Sequence, residues 1–112
     1  MEEVINMADN AIVYDYDKML ETADKLCLIG YSYGNSLETK VRKFKEALEN
    51  LKPYFQGKSA EAFFSKADTI DKVAEAEINL FIGVIIGVLQ RNVATMKQTD
   101  ADLVEKLREI FP

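Results

Sequence analysis

The stretch that decides the fold is Leu51-Lys52-Pro53-Tyr54-Phe55-Gln56-Gly57-Lys58-Ser59. Pro53 has no amide hydrogen to donate and tends to end a helix, and Gly57 tolerates a positive φ angle. Ser59 offers a side-chain oxygen that can cap the start of a new helix. The sequence therefore predicts a tight turn from Pro53 to Lys58 with a helix on either side.

Apolar and small residues recur in steps of three or four on both sides of this turn, as expected for amphipathic helices. Before the turn they are Met19, Ala23, Leu26, Gly30, Gly34, Leu37, Val41, Phe44, Leu48, Leu51 and Phe55, and after it Phe63, Ala67, Ile70, Ala74, Ile78, Phe81, Ile85 and Val88. We therefore predict helix 1 over about 12–52, an elbow over 53–58, and helix 2 over about 59–98.

Two helices joined by so short a turn must lie antiparallel. With 112 residues the chain is expected to form a single domain over 1–112. The predicted fold class is all-α: an antiparallel two-helix hairpin with an aromatic-X-Gly elbow, completed as a four-helix bundle.

Glycines are predicted to mark a close approach of the two helices. Gly30 and Gly34 fall on the apolar seam of helix 1, and equal helical rise from the turn places Gly30 opposite Gly83. Gly83 and Gly87 form a similar step on helix 2. We favour a continuous helix 1; the alternative is a break near Gly30–Gly34 with Asn35 capping a new helix.

Helix 2 carries more apolar residues than one partner helix can cover. The predicted partner-binding residues are Leu80, Phe81, Val84, Ile85 and Val88. A single hairpin seldom buries enough apolar surface to be stable alone. The sequence therefore predicts a second helical chain, either another copy or a different protein.

Composition excludes several classes of function. The chain has no His, no Trp and a single Cys, which disfavours zinc sites, histidine-based triads and disulfide scaffolds. Its net charge is -5, and the basic residues between 36 and 58 alternate with apolar positions, so we predict no nucleic-acid partner. No metal, cofactor or small-molecule substrate is expected.

An enzyme using paired carboxylates is the alternative from another class. The pairs Asp68 with Asp71 and Glu75 with Glu77 lie in a charged segment, where solvated surface is the ordinary interpretation. A helical hairpin also provides no deep pocket for a substrate. We therefore predict that the protein is not an enzyme.

The first residues lack the cationic and apolar regions of a secretory signal peptide. The longest apolar stretch, Ile78 to Leu89, falls short of the ~20 residues that span a bilayer. It is interpreted as a buried helix segment.

The turn and its flanks, from Tyr54 to Phe63, resemble the aromatic-X-Gly elbow of the WXG (ESAT-like, Esx) superfamily, small helical hairpins exported by type VII secretion systems. Phe55 stands where that family usually has Trp, and Gly57 matches its glycine. Length, acidity and the lack of a signal peptide also fit this resemblance.

A pattern near the C-terminus is similar to the export signal of that family, which places a hydrophobic or aromatic residue four positions before an acid. Here Met96, Asp100, Leu103 and Leu107 occupy those positions, with Met96 in place of the usual Tyr or Phe. Phe64 and Asp68 have the same spacing, but they lie at the elbow. Thr99 and Asp102 resemble a capping box, so the tail over about 100–110 is predicted to be a separate helix.

The resemblance implies an accessory protein of type VII secretion. Such a protein would bind the helical N-terminal domain of an LXG-type toxin, contribute to its targeting, and be recognised by the type VII secretion ATPase. It would be cytoplasmic before export and secreted without a cleavable signal peptide. The alternative is a self-contained, homodimeric WXG-like secreted protein.

Overall fold

The computed structural model describes residues 2–7, 10–32 and 36–110, and the side chains of 12–32, 36–102 and 104–109. In these ranges the elements are β1 (Glu2–Met7), β2 (Asn10–Asp15), α1 (Tyr16–Gly30), α2 (Leu37–Leu51), β3 (Phe55–Gln56), α3 (Lys58–Ala67) and α4 (Ile78–Ile110). Short 3₁₀ turns occupy Lys52–Tyr54, Asp68–Lys72 and Glu75–Glu77. The prediction of a predominantly helical chain is confirmed.

The chain also forms a small antiparallel sheet, in the order β1-β2-β3, whose third strand lies between α2 and α3 in the sequence. Val4 pairs with Val13, and Val13 in turn pairs with Gln56 of β3. The prediction that helix 1 begins near residue 12 was therefore wrong. Consecutive β-branched and aromatic residues, such as those from Ile12 to Tyr14, favour strand over helix.

Helix 1 is divided into two helices, so the favoured prediction of a continuous helix was wrong. α1 ends at Gly30, and α2 begins at Leu37 with Ser36 as its N-cap, whose side-chain oxygen accepts from the Thr39 amide. Gly34 and the alternative cap Asn35 lie outside the described residues. Two helices in place of one allow α2 to fold back against α1.

A buried lysine joins the two helices at this break. The ammonium of Lys40 donates to the Asn79 side-chain oxygen at 2.9 Å and to the Gly30 carbonyl at 3.5 Å. Carbonyls at a helix C-terminus have no partner within the helix, and a cation there also interacts well with the helix dipole. Lys40 therefore closes the end of α1 and ties α1 and α2 to the start of α4.

Helix 2 is also divided, contrary to the predicted span of about 59–98. The α-helix ends at Ala67 and is followed by a 3₁₀ turn, and Val73 and Ala74 are extended before α4 begins. Thr69 donates its hydroxyl to the Lys66 carbonyl, one of the local bonds by which Thr and Asp compete with helical geometry. Ser59 does not cap α3 either, because Gly57 occupies the N-cap position.

α4 continues without interruption from Ile78 to Ile110, so the predicted separate tail helix was wrong. Thr99 donates to the Thr95 carbonyl one turn earlier instead of capping a new helix. In the same part of the helix, the side-chain amide of Gln98 donates to the carboxylate of Asp102, four residues later, at 2.9 Å. Both contacts are those of a helix interior.

The core lies between α4 and the other helices. α1 runs antiparallel to α4, with Tyr16 bonded to Asp100 at one end and Gly30 against Ile82 at the other. The Lys45 ammonium on α2 is paired at 2.5 Å with Asp71, which lies in the 3₁₀ turn after α3. The largest fully buried side chains are Phe44, Phe55, Phe63, Met19, Leu26, Leu51, Ile70, Ile82, Ile85 and Leu89.

Candidate protein-interaction surface

One side of α4 is buried in the core. Its buried residues are Ile78, Ile82, Ile85, Leu89, Val93 and Met96, which recur in steps of three or four. This spacing places them along one face of the helix, against α1. The core therefore uses only part of the apolar surface that α4 carries.

The opposite side of α4 is exposed although it is largely apolar. Leu80 is 72% exposed and Val84 43% exposed. A Cβ atom added at Gly83 or at Gly87 would meet no atom within 4 Å. We call this surface the outer face of α4, and define it by Leu80, Gly83, Val84, Gly87, Gln90, Arg91 and Ala94.

Residues of the outer face follow the spacing of a coiled-coil seam. Leu80, Val84, Gly87, Arg91 and Ala94 are separated by alternating steps of four and three. Such a seam accepts the side chains of a second helix between its own. The two glycines also allow a second backbone to approach closely.

Two open grooves meet at Val84. The first has a volume of 460 Å³ and is lined by Lys66, Lys72, Val73, Ala74, Glu77, Leu80, Phe81 and Val84. The second has a volume of 430 Å³ and is lined by Val84, Gly87, Gln90, Arg91 and Ala94. Val84 therefore separates the two grooves. Lys66, Lys72 and Glu77 are the charged residues of the first groove, and Arg91 is that of the second.

Of the five predicted partner-binding residues, Leu80 and Val84 lie on the outer face. Phe81 and Val88 are half-buried, and the Phe81 ring lies 6.1 Å from the ring of Phe44. The assignment of Ile85 was wrong, because its side chain is completely buried in the core. The face of α4 that packs against the core is rotated about the helix axis relative to the predicted face. It also includes Ile82 and Leu89.

The predicted close approach at the glycines is only partly present. Gly30 faces α4, where a Cβ atom would lie 3.5 Å from a methyl carbon of Ile82. Gly83 and Gly87 pack against nothing within the described part of the chain, so their assignment to close packing within the chain was wrong.

The aromatic-X-Gly elbow lies at the turn between α2 and α3. Phe55 is 1% exposed, and its ring contacts those of Tyr14, Phe63 and Phe64 at centroid distances of 5.8 to 6.3 Å. Gly57 has a φ angle of 130°, a conformation that other residues adopt only with strain. The sequence did not predict that Phe55 also pairs with β2 as part of a third strand.

Residues of the predicted export signal are partly engaged within the fold. Met96 is 9% exposed, and the Asp100 carboxylate accepts a hydrogen bond from the Tyr16 hydroxyl. Burial, reinforced by the negative charge of Asp100, raises the pKa of the Tyr14 hydroxyl. Leu107 is 48% exposed, whereas the side chain of Leu103 lies outside the described residues.

The carboxylate pairs considered for catalysis lie at the surface. Asp68, Asp71, Glu75 and Glu77 are exposed, and Asp71 is paired with Lys45. Within the residues that the structure describes, no three acidic or cysteine side chains are grouped so that they could hold a metal ion.

α4 is also apolar over a greater length than the stretch from Ile78 to Leu89. By length and composition the helix from Glu75 to Glu109 is able to cross a membrane, and 28% of its most apolar window is buried. Core helices of soluble proteins and signal sequences meet the same criteria. The expectation that this stretch is a buried helix segment holds for one side of the helix, where Ile82, Ile85 and Leu89 are buried, whereas Leu80 and Val84 are exposed.

In comparisons with protein-family models, with curated proteins and with solved structures, nothing matches this chain. The resemblance to the WXG superfamily therefore stays a prediction.

Proposed function

We propose that this protein is a helical interaction protein whose outer face of α4 is covered by a helix of another chain. The observation that carries this proposal is the exposure of Leu80 and Val84 beside two glycines with open space around them. Apolar surface buried against a partner contributes roughly 25 cal/mol per Å² to association. A partner helix would also complete the helical bundle that the sequence predicts.

We further propose type VII secretion as the setting, with the helical N-terminal domain of an LXG-type toxin as the candidate partner and the secretion ATPase as the receptor. This proposal is supported by the segment Phe55-Gln56-Gly57 between α2 and α3, in which Phe55 is buried and Gly57 has a positive φ angle. Under it, the protein is cytoplasmic before export and leaves the cell without a cleavable signal peptide. A second copy of the chain on the outer face, as in a self-contained dimer, is the second candidate, favoured by the opposite charges of Glu77 and Arg91, seven residues on either side of Val84.

Changing Leu80 to Glu is expected to abolish association through the outer face. The new carboxylate would have to give up its hydration on binding, which is energetically costly. Leu28→Glu is the matched control, since Leu28 is 73% exposed on α1 and Leu80 is 72% exposed. Light scattering after size-exclusion chromatography measures the association, first for the chain alone and then for the chain co-expressed with an LXG-type domain. Association that Leu80→Glu leaves intact would contradict the proposed function.

A second variant tests the secretion setting. Asp100→Ala is expected to reduce export by a type VII system at least about tenfold, the effect of losing roughly 1.4 kcal/mol of recognition. Tyr16→Phe is the control, because it removes the same hydrogen bond within the fold but keeps the carboxylate. The measurement is the secreted fraction on immunoblots. Equal export of wild type and Asp100→Ala, or equal loss in both variants, would contradict a signal at Asp100.

A further inference from the structure

We propose that the start of α1 masks the predicted export signal, and that Tyr16 must release Asp100 before a receptor binds it. This inference rests on the proposed secretion setting, because it concerns the accessibility of that same signal. It is carried by the contacts among Tyr16, Lys97 and Asp100, by the burial of Met96, and by the point at which α4 leaves the core.

Asp100 lies where α4 leaves the body of the protein. Met96, one turn earlier, is 9% exposed and belongs to the core. Asp100 itself is half-buried, whereas the described side chains that follow it, 101–102 and 104–109, are all exposed. The packed part of α4 therefore ends within the predicted signal, between Asp100 and Leu107.

The Tyr16 hydroxyl holds the Asp100 carboxylate at this boundary. It donates a partly buried hydrogen bond to one carboxylate oxygen, although the two residues are 84 positions apart in the sequence. Tyr16 is 4% exposed, so its ring is fixed within the core. Hydrogen bonds to a carboxylate are stronger than those between neutral groups, and partial burial strengthens them further. The bond therefore fixes the end of the packed part of α4 on the start of α1.

Lys97 covers the same site from the solvent side. Its side chain is exposed, and its ammonium lies 5.4 Å from the centroid of the Tyr16 ring. A cation in this position is attracted to the face of the ring. Tyr16 thus contacts α4 through both its ring and its hydroxyl. We call Tyr16, Lys97 and Asp100 the latch.

The latch keeps two residues of the predicted signal away from a receptor. Met96 has too little exposed surface to enter a pocket of another protein, and one Asp100 oxygen is already bonded to the Tyr16 hydroxyl. Val104 and Leu107 lie beyond the latch and are about half exposed. A receptor can therefore contact the exposed end of α4 at once, but it can bind Met96 and Asp100 only after the latch has opened.

Opening of the latch is a shift between two states of the same helix. A receptor that binds only the open state has its apparent affinity reduced by the fraction of molecules that are open. Weakening the latch raises this fraction, so it is expected to strengthen recognition although it removes a contact from the fold. A signal that is exposed in every molecule would show no such gain.

The opening is measured by the rate of thiol labelling of Met96→Cys in a Cys27→Ser background. Tyr16→Phe is expected to raise this rate about tenfold, because loss of a hydrogen bond to a carboxylate shifts the opening equilibrium by about that factor. Lys97→Ala, which changes only an exposed side chain, is expected to raise it about threefold. Unchanged labelling in both variants would overturn the latch.

Two controls separate opening of the latch from a general loss of stability. Ala47→Cys in the same background is the reference site, because Ala47 is also 9% exposed but lies on α2. Its labelling rate is expected to change by less than about twofold when Tyr16→Phe is added, since the opening is local. Tyr14→Phe removes a neighbouring hydroxyl, leaves the Tyr16 bond in place, and is expected to leave Met96→Cys labelling unchanged. Equal acceleration at the two labelling sites would overturn the latch.

Export is the functional readout. With Met96 and Asp100 both present, Tyr16→Phe is expected to raise the initial rate of export by a type VII system up to about tenfold, in proportion to the open fraction. Tyr14→Phe is expected to be exported at the wild-type rate. Faster labelling of Met96→Cys without faster export would overturn the masking of the signal.

Failure of this inference is distinguishable from failure of the proposed function. Loss of export in Asp100→Ala, together with unchanged labelling and export in Tyr16→Phe, overturns the latch and supports the secretion setting. Wild-type export of Asp100→Ala overturns the secretion setting, and the masking with it, even where labelling shows that the latch opens. Loss of export in Asp100→Ala with faster labelling and faster export in Tyr16→Phe supports both.

Discussion

Replacement of Phe55 by Ala is expected to lower the free energy of unfolding by about 3–5 kcal/mol, the range for removal of a buried aromatic ring. The ring is 1% exposed and lies against the rings of Tyr14, Phe63 and Phe64. Its loss opens a cavity where β2, the turn and α3 meet. Urea unfolding followed by circular dichroism at 222 nm measures the change.

Tyr54→Ala is the matched control for this variant, because it removes the neighbouring aromatic ring of the same turn. Tyr54 is 36% exposed, and the ammonium of Lys18 lies 5.5 Å from its ring centroid. A loss of about 1 kcal/mol or less is expected, as for exposed cation–π contacts. Equal losses for the two variants would show that Phe55 is not the centre of this cluster.

Ile85→Ala is expected to lower the free energy of unfolding by about 2–5 kcal/mol, because its side chain is completely buried in the core. Deletion of these atoms removes contacts between α4 and the rest of the core. Thermal and urea unfolding at a fixed protein concentration both report the loss, which is expected to appear in the urea midpoint with little change in slope.

Val104 provides the control for this second variant. It is β-branched, lies on the same helix, and is 49% exposed. Val104→Ala is expected to change stability by less than about 0.5 kcal/mol, as most surface substitutions do. If Ile85→Ala instead altered only association and left unfolding unchanged, Ile85 would belong to the partner surface and the orientation of α4 would be wrong.

Local chemistry was sufficient to predict the turn. Pro53 and Gly57 act on the chain near them, and in the structure α2 ends at Leu51 and α3 begins at Lys58, next to these residues. Steps of three and four also indicated the helical character of the flanking segments. These signals depend on neighbouring residues alone, so they can be found in a single sequence.

The division of the helices could not be predicted in the same way. Gly30 falls on an apolar seam whether α1 continues or ends there, so periodicity does not distinguish the two cases. The contacts that accompany the break are distant in sequence, above all the bond from Lys40 to Asn79. A tertiary hydrogen bond of this kind leaves no periodic pattern.

The candidate surface was predicted in part. Leu80 and Val84 were assigned to a partner surface because the helix has more apolar residues than its core-facing side can bury. Ile85 was wrongly assigned to the same surface, since it is buried in the core. Which stripe faces the core depends on the rotation of α4 about its axis, and this rotation is set by packing against α1. The alternation of Leu80, Val84, Gly87, Arg91 and Ala94 was the available signal for the outer face.

The pairing of β2 with Phe55 and Gln56 has a consequence for synthesis on the ribosome. The first two strands leave the exit tunnel early, but a hairpin of two strands is marginally stable by itself in water. Its third strand follows about forty residues later, and α4, the helix that covers α1, is made after that strand. Since contacts between distant segments slow folding, the nascent chain is expected to stay unfinished, and open to chaperones, until α4 has emerged.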